Sequence, residues 1–173
     1  MARYLPNSDV SYPTSIYGGG PPYYSLVNKL VPEGCPGTGS ISNNVGAAAA
    51  TAIEFGLPTL SSTPSNCQLK LYSQAEPGQL VSFVAYAKQS GTVMFQSALF
   101  YLPTTEGETI VGMPIIGSPS SDSGWSIELS CSGDSSGSQF WIFGVEVDFS
   151  TSGGNGGAAP LLALLEQDLE LMD

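Results

Sequence analysis

The chain has 173 residues, 42% hydrophobic and only 11% charged, which allows one domain with a sizeable core and leaves too little for two. Its net charge is −11, with Arg3, Lys29, Lys70 and Lys88 as its four cations. Phosphate backbones and anionic membranes are held by clustered Lys and Arg, so direct nucleic-acid or membrane-surface binding is not expected.

Residues 1–45 read as an extended arm rich in Tyr, Pro and Gly. The arm holds Pro6, Pro13, Pro21, Pro22, Pro32 and Pro36, the run Gly18-Gly19-Gly20, and Tyr4, Tyr12, Tyr17, Tyr23 and Tyr24. Proline keeps such a segment extended, and tyrosines offer contact area at low entropic cost. The five tyrosines are therefore candidate partner-binding residues on a neighbouring subunit, with wrapping over the chain's own body as the alternative. One short helical turn fits at Tyr24–Leu30.

Residues 46–152 read as the body. Thr51, Ile53, Phe55 and Leu57 recur with period 2 in a first strand at about Ala50–Leu57, and Ser61–Asn66 is a polar loop. Cys67, Leu69 and Leu71 alternate with Gln68, Lys70 and Tyr72, the pattern of a half-buried strand. Pro77-Gly78 is a turn. Leu80–Lys88 is a strand joined by Ser90-Gly91 to Thr92–Leu102. Thr109–Ile116 is another strand, placed at an edge or bulge by Pro114. Trp125–Cys131 alternates cleanly. In the last strand, Gln139–Ser150, Trp141, Phe143, Val145, Val147 and Phe149 are expected on one face, with Glu146 and Asp148 pointing away. Both Trp125 and Trp141 then fit the core, while Tyr72, Tyr86 and Tyr101 are better placed on an exposed face. Seven or eight strands with 21 Gly and 13 Pro as punctuation predict an all-β fold, an antiparallel β-sandwich of jelly-roll type.

After a Gly-rich tether, 153–157, comes an acidic tail, 158–173. At helical spacing Leu161, Leu162, Leu165, Leu169 and Met172 fall on one side, and Glu166, Glu170 and Asp173 on the other. That predicts a short amphipathic helix unable to stand alone, with its leucine face as a second partner-binding surface. Asp168 completes the tail's acids, which read as a solvated acidic face, with a basic partner surface as the alternative.

Catalytic signals are weak. Gly133-Asp134-Ser135-Ser136-Gly137 is similar to the nucleophile segment of trypsin-like proteases, but a serine triad needs a base beside the serine and the chain has no histidine. Without His or a paired Cys motif, no transition-metal site is expected. Calcium takes oxygen ligands, and Asp122 and Asp134 lie in polar loops, but in no calcium-loop pattern. Glu106 and Glu108 flank Gly107 in an expected turn, whereas a glycosidase pair faces across a cleft. Catalytic, cofactor and metal sites are all expected to be absent. Cys35, Cys67 and Cys131 match no zinc spacing and are read as reduced thiols. Residues 1–25 hold no apolar run of the signal-peptide kind, so synthesis and folding in a cytoplasm are expected.

The opening Arg3, Pro6, Asp9 and Val10, the patch Tyr24-Ser25-Leu26-Val27-Asn28-Lys29 followed by Pro32, the body start at Phe55-Gly56-Leu57, and the strands Leu69-Lys70-Leu71-Tyr72 and Val145-Glu146-Val147-Asp148-Phe149 together resemble a group of phage-encoded β-sandwich virion proteins. Glu33-Gly34-Cys35-Pro36-Gly37 departs from that group's Asp/Tyr-rich segment, and the acidic tail is not part of its pattern. The resemblance implies a non-enzymatic virion component, such as a capsid decoration, fibre or tail-associated protein. Its partners would be other virion proteins and copies of itself, with a closed trimer as one form. The alternative is a lectin-like domain that binds a host glycan.

Overall fold

The computed structural model describes residues 2–12, 21–35, 40–45, 51–133 and 138–151. The tether and tail at 153–173, Tyr17, and most of the protease-like loop (134–137) lie outside the described residues.

In chain order the elements are β1 (Ala2–Tyr4), β2 (Ser8–Ser11), α1 (Tyr24–Val27), β3 (Ile41–Val45), β4 (Thr51–Gly56), β5 (Pro64–Ala75), β6 (Val81–Gln89), β7 (Thr92–Gln96), β8 (Phe100–Tyr101), β9 (Gly107–Met113), β10 (Trp125–Gly133) and β11 (Ser138–Thr151). They form two antiparallel sheets. Sheet A runs β1-β11-β5-β9, with β3 also paired to β11. Sheet B runs β2-β4-β10-β6-β7, with β8 also paired to β6.

Period-2 alternation sets the packing. Cys67, Leu69 and Leu71 of β5 turn inward from sheet A, and Phe83, Ala85, Ala87, Ile127 and Leu129 turn inward from sheet B. Aromatic contacts join the layers: Phe83 meets Phe140 with ring centroids 5.2 Å apart, and Trp125 meets Phe149 at 5.2 Å. The expected Ser90-Gly91 connection is a tight hairpin in which both residues have positive φ, 49° and 80°. That backbone matches the twist of paired strands and favours glycine at its second position. β9 lies at the edge of sheet A and stops at Met113, just before Pro114, as proline's missing N–H requires.

Two features bear on the sequence reading. First, the described part of the 1–45 segment follows the wrapped alternative and is built into the sandwich. β1 pairs with β11 in sheet A, and β2 pairs with β4 in sheet B, so one short stretch straps both layers. Tyr23 is buried, Tyr4 packs edge-on against Phe149 at 5.6 Å, and Tyr24 is half-buried against the core. Tyr12 is exposed but rests on Tyr23 at 4.7 Å. The described tyrosines therefore spend most of their contact area on their own body.

Second, β11 does not keep a single face. Its register against β5 shifts between Ile142 and Gly144. Phe140 and Ile142 point into the core before the shift, and Val145, Val147 and Phe149 do so after it. Trp141 and Phe143 are thereby turned to the outer face and are only half-buried. A bulge adds one residue to one strand, which reverses the inward–outward order beyond it. The core assignment of Trp141 and Phe143 is corrected accordingly, while Trp125 lies in the core at 2% exposure.

Candidate functional site

The outer face of sheet A is ordered in rows by its register. Ser42, Trp141 and Gln74 lie across one row, and Tyr72 and Glu108 across the next, level with Gly144. Phe143 stands beside Tyr72, ring centroids 6.1 Å apart and planes at 69°. Glu106 precedes β9 and sits near Tyr72. Desolvation and then the Glu106 charge raise the Tyr72 phenol above its ordinary pKa, so it stays a hydrogen-bonding hydroxyl near neutrality. Three half-exposed aromatic rings thus form a ledge, flanked by an amide, a serine hydroxyl and two carboxylates.

The segment after α1 walls this ledge at one end. Val31 and Cys35 lie over Gly144, where a Cβ would run into Cys35 Sγ and come within 3.2 Å of Val31 Cγ2. Beneath the wall is a charge cluster. Glu146, fully buried, takes the Val31 N–H at 3.0 Å and the Lys70 ammonium at 2.9 Å, with Arg3 Nε 3.4 Å away. Lys70 also reaches Asp148 Oδ2 at 2.8 Å. Burial pushes the Glu146 carboxyl up, but the Val31 N–H, Lys70 and Arg3 outweigh it and hold its pKa below the usual range. The hydrogen bonds that Lys70 donates to Asp148 and Glu146 raise its own pKa. These charges pair with one another and fix the wall, while Asp148 Oδ1 is buried without a hydrogen-bond partner.

Sheet B carries a different feature on its opposite, outward face. A groove of about 550 Å³ opens between the start of β2, the end of β4, the β6–β7 turn and the start of β10. Glu54 and Glu128 stand directly across from each other on β4 and β10, an arrangement that repels on its own. Lys88 of β6 bridges them, 3.4 Å from Glu54 and in contact with Glu128. Ser126, 95% buried, donates its hydroxyl to Glu54 Oε1 at 2.6 Å. Burial pulls the Lys88 pKa down, but the two carboxylates outweigh this and leave it raised.

The other candidate residues do not converge. Glu106 and Glu108 lie together at the start of β9, on one edge of sheet A. Asp122 Oδ2 accepts a hydrogen bond from Ser120 at 2.9 Å. Among the described residues no group of three or more His, Cys, Asp or Glu side chains is placed to hold a metal. Cys35, Cys67 and Cys131 are buried, and none is in a disulfide. Burial pushes the Cys67 thiol far above its ordinary value, with Asp148 adding to it.

The sequence reading found Tyr72 as an outward residue but missed the ledge, because alternation alone put Trp141 inside. It also missed the groove. Outward Glu54, Lys88 and Glu128 are visible on three strands, but only the sheet order β4-β10-β6 brings them together.

The sequence matches no family model and no curated protein. Solved structures resemble the fold at low identity. An arabinose-bound α-L-arabinofuranosidase, MgGH51, superimposes with a TM-score of 0.48 at 10% identity over 66% of this chain. The CBM36-1 domain of a multidomain xylanase from the hindgut metagenome of Trinervitermes trinervoides gives 0.47 at 9% identity, covering 88% of this chain and 99% of that domain. Tailspike protein 4 of bacteriophage CBA120 gives 0.42 at 13% identity, covering 65% of this chain and 16% of that one. The chain spans only 20% of the length of the arabinofuranosidase structure. At these values none of them assigns a role to this chain.

Proposed function

We propose that the chain is a non-enzymatic, jelly-roll-type attachment module that binds carbohydrate on the outer face of sheet A. The observation that carries this reading is the half-exposure of Trp141, Phe143 and Tyr72 on one sheet face, with Gln74, Ser42 and Glu106 beside them. Sugars offer a C–H face that packs on aromatic rings and a rim of hydroxyls that needs donors and acceptors. The 69° angle between the Tyr72 and Phe143 rings does not match a flat crystalline surface. It suits a single soluble chain whose successive sugars are rotated. The resemblance in the opening Arg3, Pro6, Asp9 and Val10 supports a phage virion as the setting, with host-surface glycan as the target.

Binding of the wild-type chain and the Trp141→Ala variant to a glycan array tests this. Losing a central aromatic anchor typically costs about 2 kcal/mol, roughly thirtyfold in affinity. An array with no hits for the wild type sinks the reading, and so does a variant that binds equally well.

A second reading is a virion structural component held by neighbouring subunits. It is favoured by Leu80, Leu99 and Tyr101, each more than half exposed around the β6–β8 pairing, and by the leucine stripe at 161–172. Removing residues 153–173 should then lower incorporation into particles, and normal incorporation would count against it.

A further inference from the structure

We propose that the groove on the outer face of sheet B is a second carbohydrate site, specific for neutral sugars, so that one chain can hold glycan on both of its opposite faces. This rests on the carbohydrate reading of the ledge but uses none of its residues.

The groove is built as a polar receptor. Its floor carboxylate, Glu54, is held by the Ser126 hydroxyl and by Lys88, so an acceptor is already oriented before any ligand arrives. Asn7 and Ser8 add an amide and a hydroxyl along one wall, and Val10, 56% exposed, adds an apolar surface. Acceptors, donors and a small apolar wall around about 550 Å³ match the needs of a short oligosaccharide end.

Charge narrows the class. Lys88 is the one cation among the lining residues, and it is committed to two carboxylates. Among the lining residues Glu54 and Lys88 cancel, and Glu128, which also holds Lys88 but lies outside the lining, leaves the cluster with one negative charge in excess, so uronic or sialic acids would find no free counter-ion there. Neutral hexoses and pentoses need none.

The test is calorimetric titration of the full chain with neutral β-1,4-linked hexasaccharides of xylose, glucose, mannose and galactose, and with hexagalacturonate as the acidic probe. Ser123 is exposed on the groove rim, so Ser123→Trp fills the groove without disturbing the core. Glu54→Gln removes the floor charge and keeps the side chain's shape. The wild type is expected to bind a neutral hexasaccharide at two sites per chain, and Trp141→Ala and Ser123→Trp at one each. Glu54→Gln should weaken the groove site by about tenfold, the scale of a lost hydrogen bond to a charged group. One site per chain in the wild type, abolished by Trp141→Ala and untouched by Ser123→Trp, would overturn the second site while leaving the ledge standing. Hexagalacturonate bound more tightly than the neutral probes in the groove would overturn its charge selectivity. No binding by the wild type would remove both sites together.

Discussion

At the scale of single residues, the opening motif is a set of fasteners. Asp9 takes the backbone N–H groups of Tyr23 and Tyr24, both at 2.7 Å, and so anchors the start of α1. Arg3 stands beside Glu146, and Pro6 is buried. Glu146 is the most committed of these groups, since a buried carboxylate is stable only when its partners are complete. Glu146→Gln should cost about 3 kcal/mol at neutral pH, the scale for breaking a buried pair. The direction with pH follows from the lowered folded pKa. The carboxylate's contribution is full above its unfolded value of about 4.5 and is lost as pH falls through the lower folded value. Urea unfolding at neutral and acid pH should therefore show the gap between wild type and variant closing as pH drops below about 4.5. A gap that does not narrow at all as the pH falls would mean that the charge contributes nothing. The sequence shows Arg3, Asp9 and Glu146 as a pattern, but not their partners, because contacts between separate elements, from Asp9–Tyr23 to Arg3–Glu146, leave no local periodicity.

At the scale of elements, β11 decides where the aromatic surface lies. The strands are legible in the sequence because β4, β5, β6 and β10 alternate over most of their length through buried faces. β11 is legible as a strand and misleading as a face. The available signal was Gly144, since a glycine inside a strand marks a bulge or a close approach of another segment, and here both occur. Gly144→Ala would press against Cys35 and Val31, an overpacking that typically costs about 1–3 kcal/mol. Removing the Cys35 sulfur should recover part of that loss. A double-mutant cycle of Gly144→Ala with Cys35→Ala is therefore expected to show coupling of about 1 kcal/mol. Strict additivity would mean that the wall does not rest on Gly144.

At the scale of the whole molecule, the first dozen residues supply edge strands to both sheets. Deleting residues 1–12 would strip β1 from β11 and β2 from β4, exposing two rows of unpaired backbone groups. Such edges recruit other chains. The deletion is expected to lower the melting temperature and to yield soluble aggregates by size-exclusion chromatography. A monodisperse variant with an unchanged melting temperature would show that the strap is dispensable. The sandwich was legible from the number and spacing of strands. The strap was not, because its strands are three and four residues long, shorter than any window in which alternation can be seen.

The pairing of Ala2, Arg3 and Tyr4 with Phe149, Asp148 and Val147 also orders events in time. Of the described strands, the first to be made hydrogen-bonds to the last. At typical elongation rates β1 waits on the order of ten seconds for β11, so this part of sheet A cannot close until β11 has been synthesised.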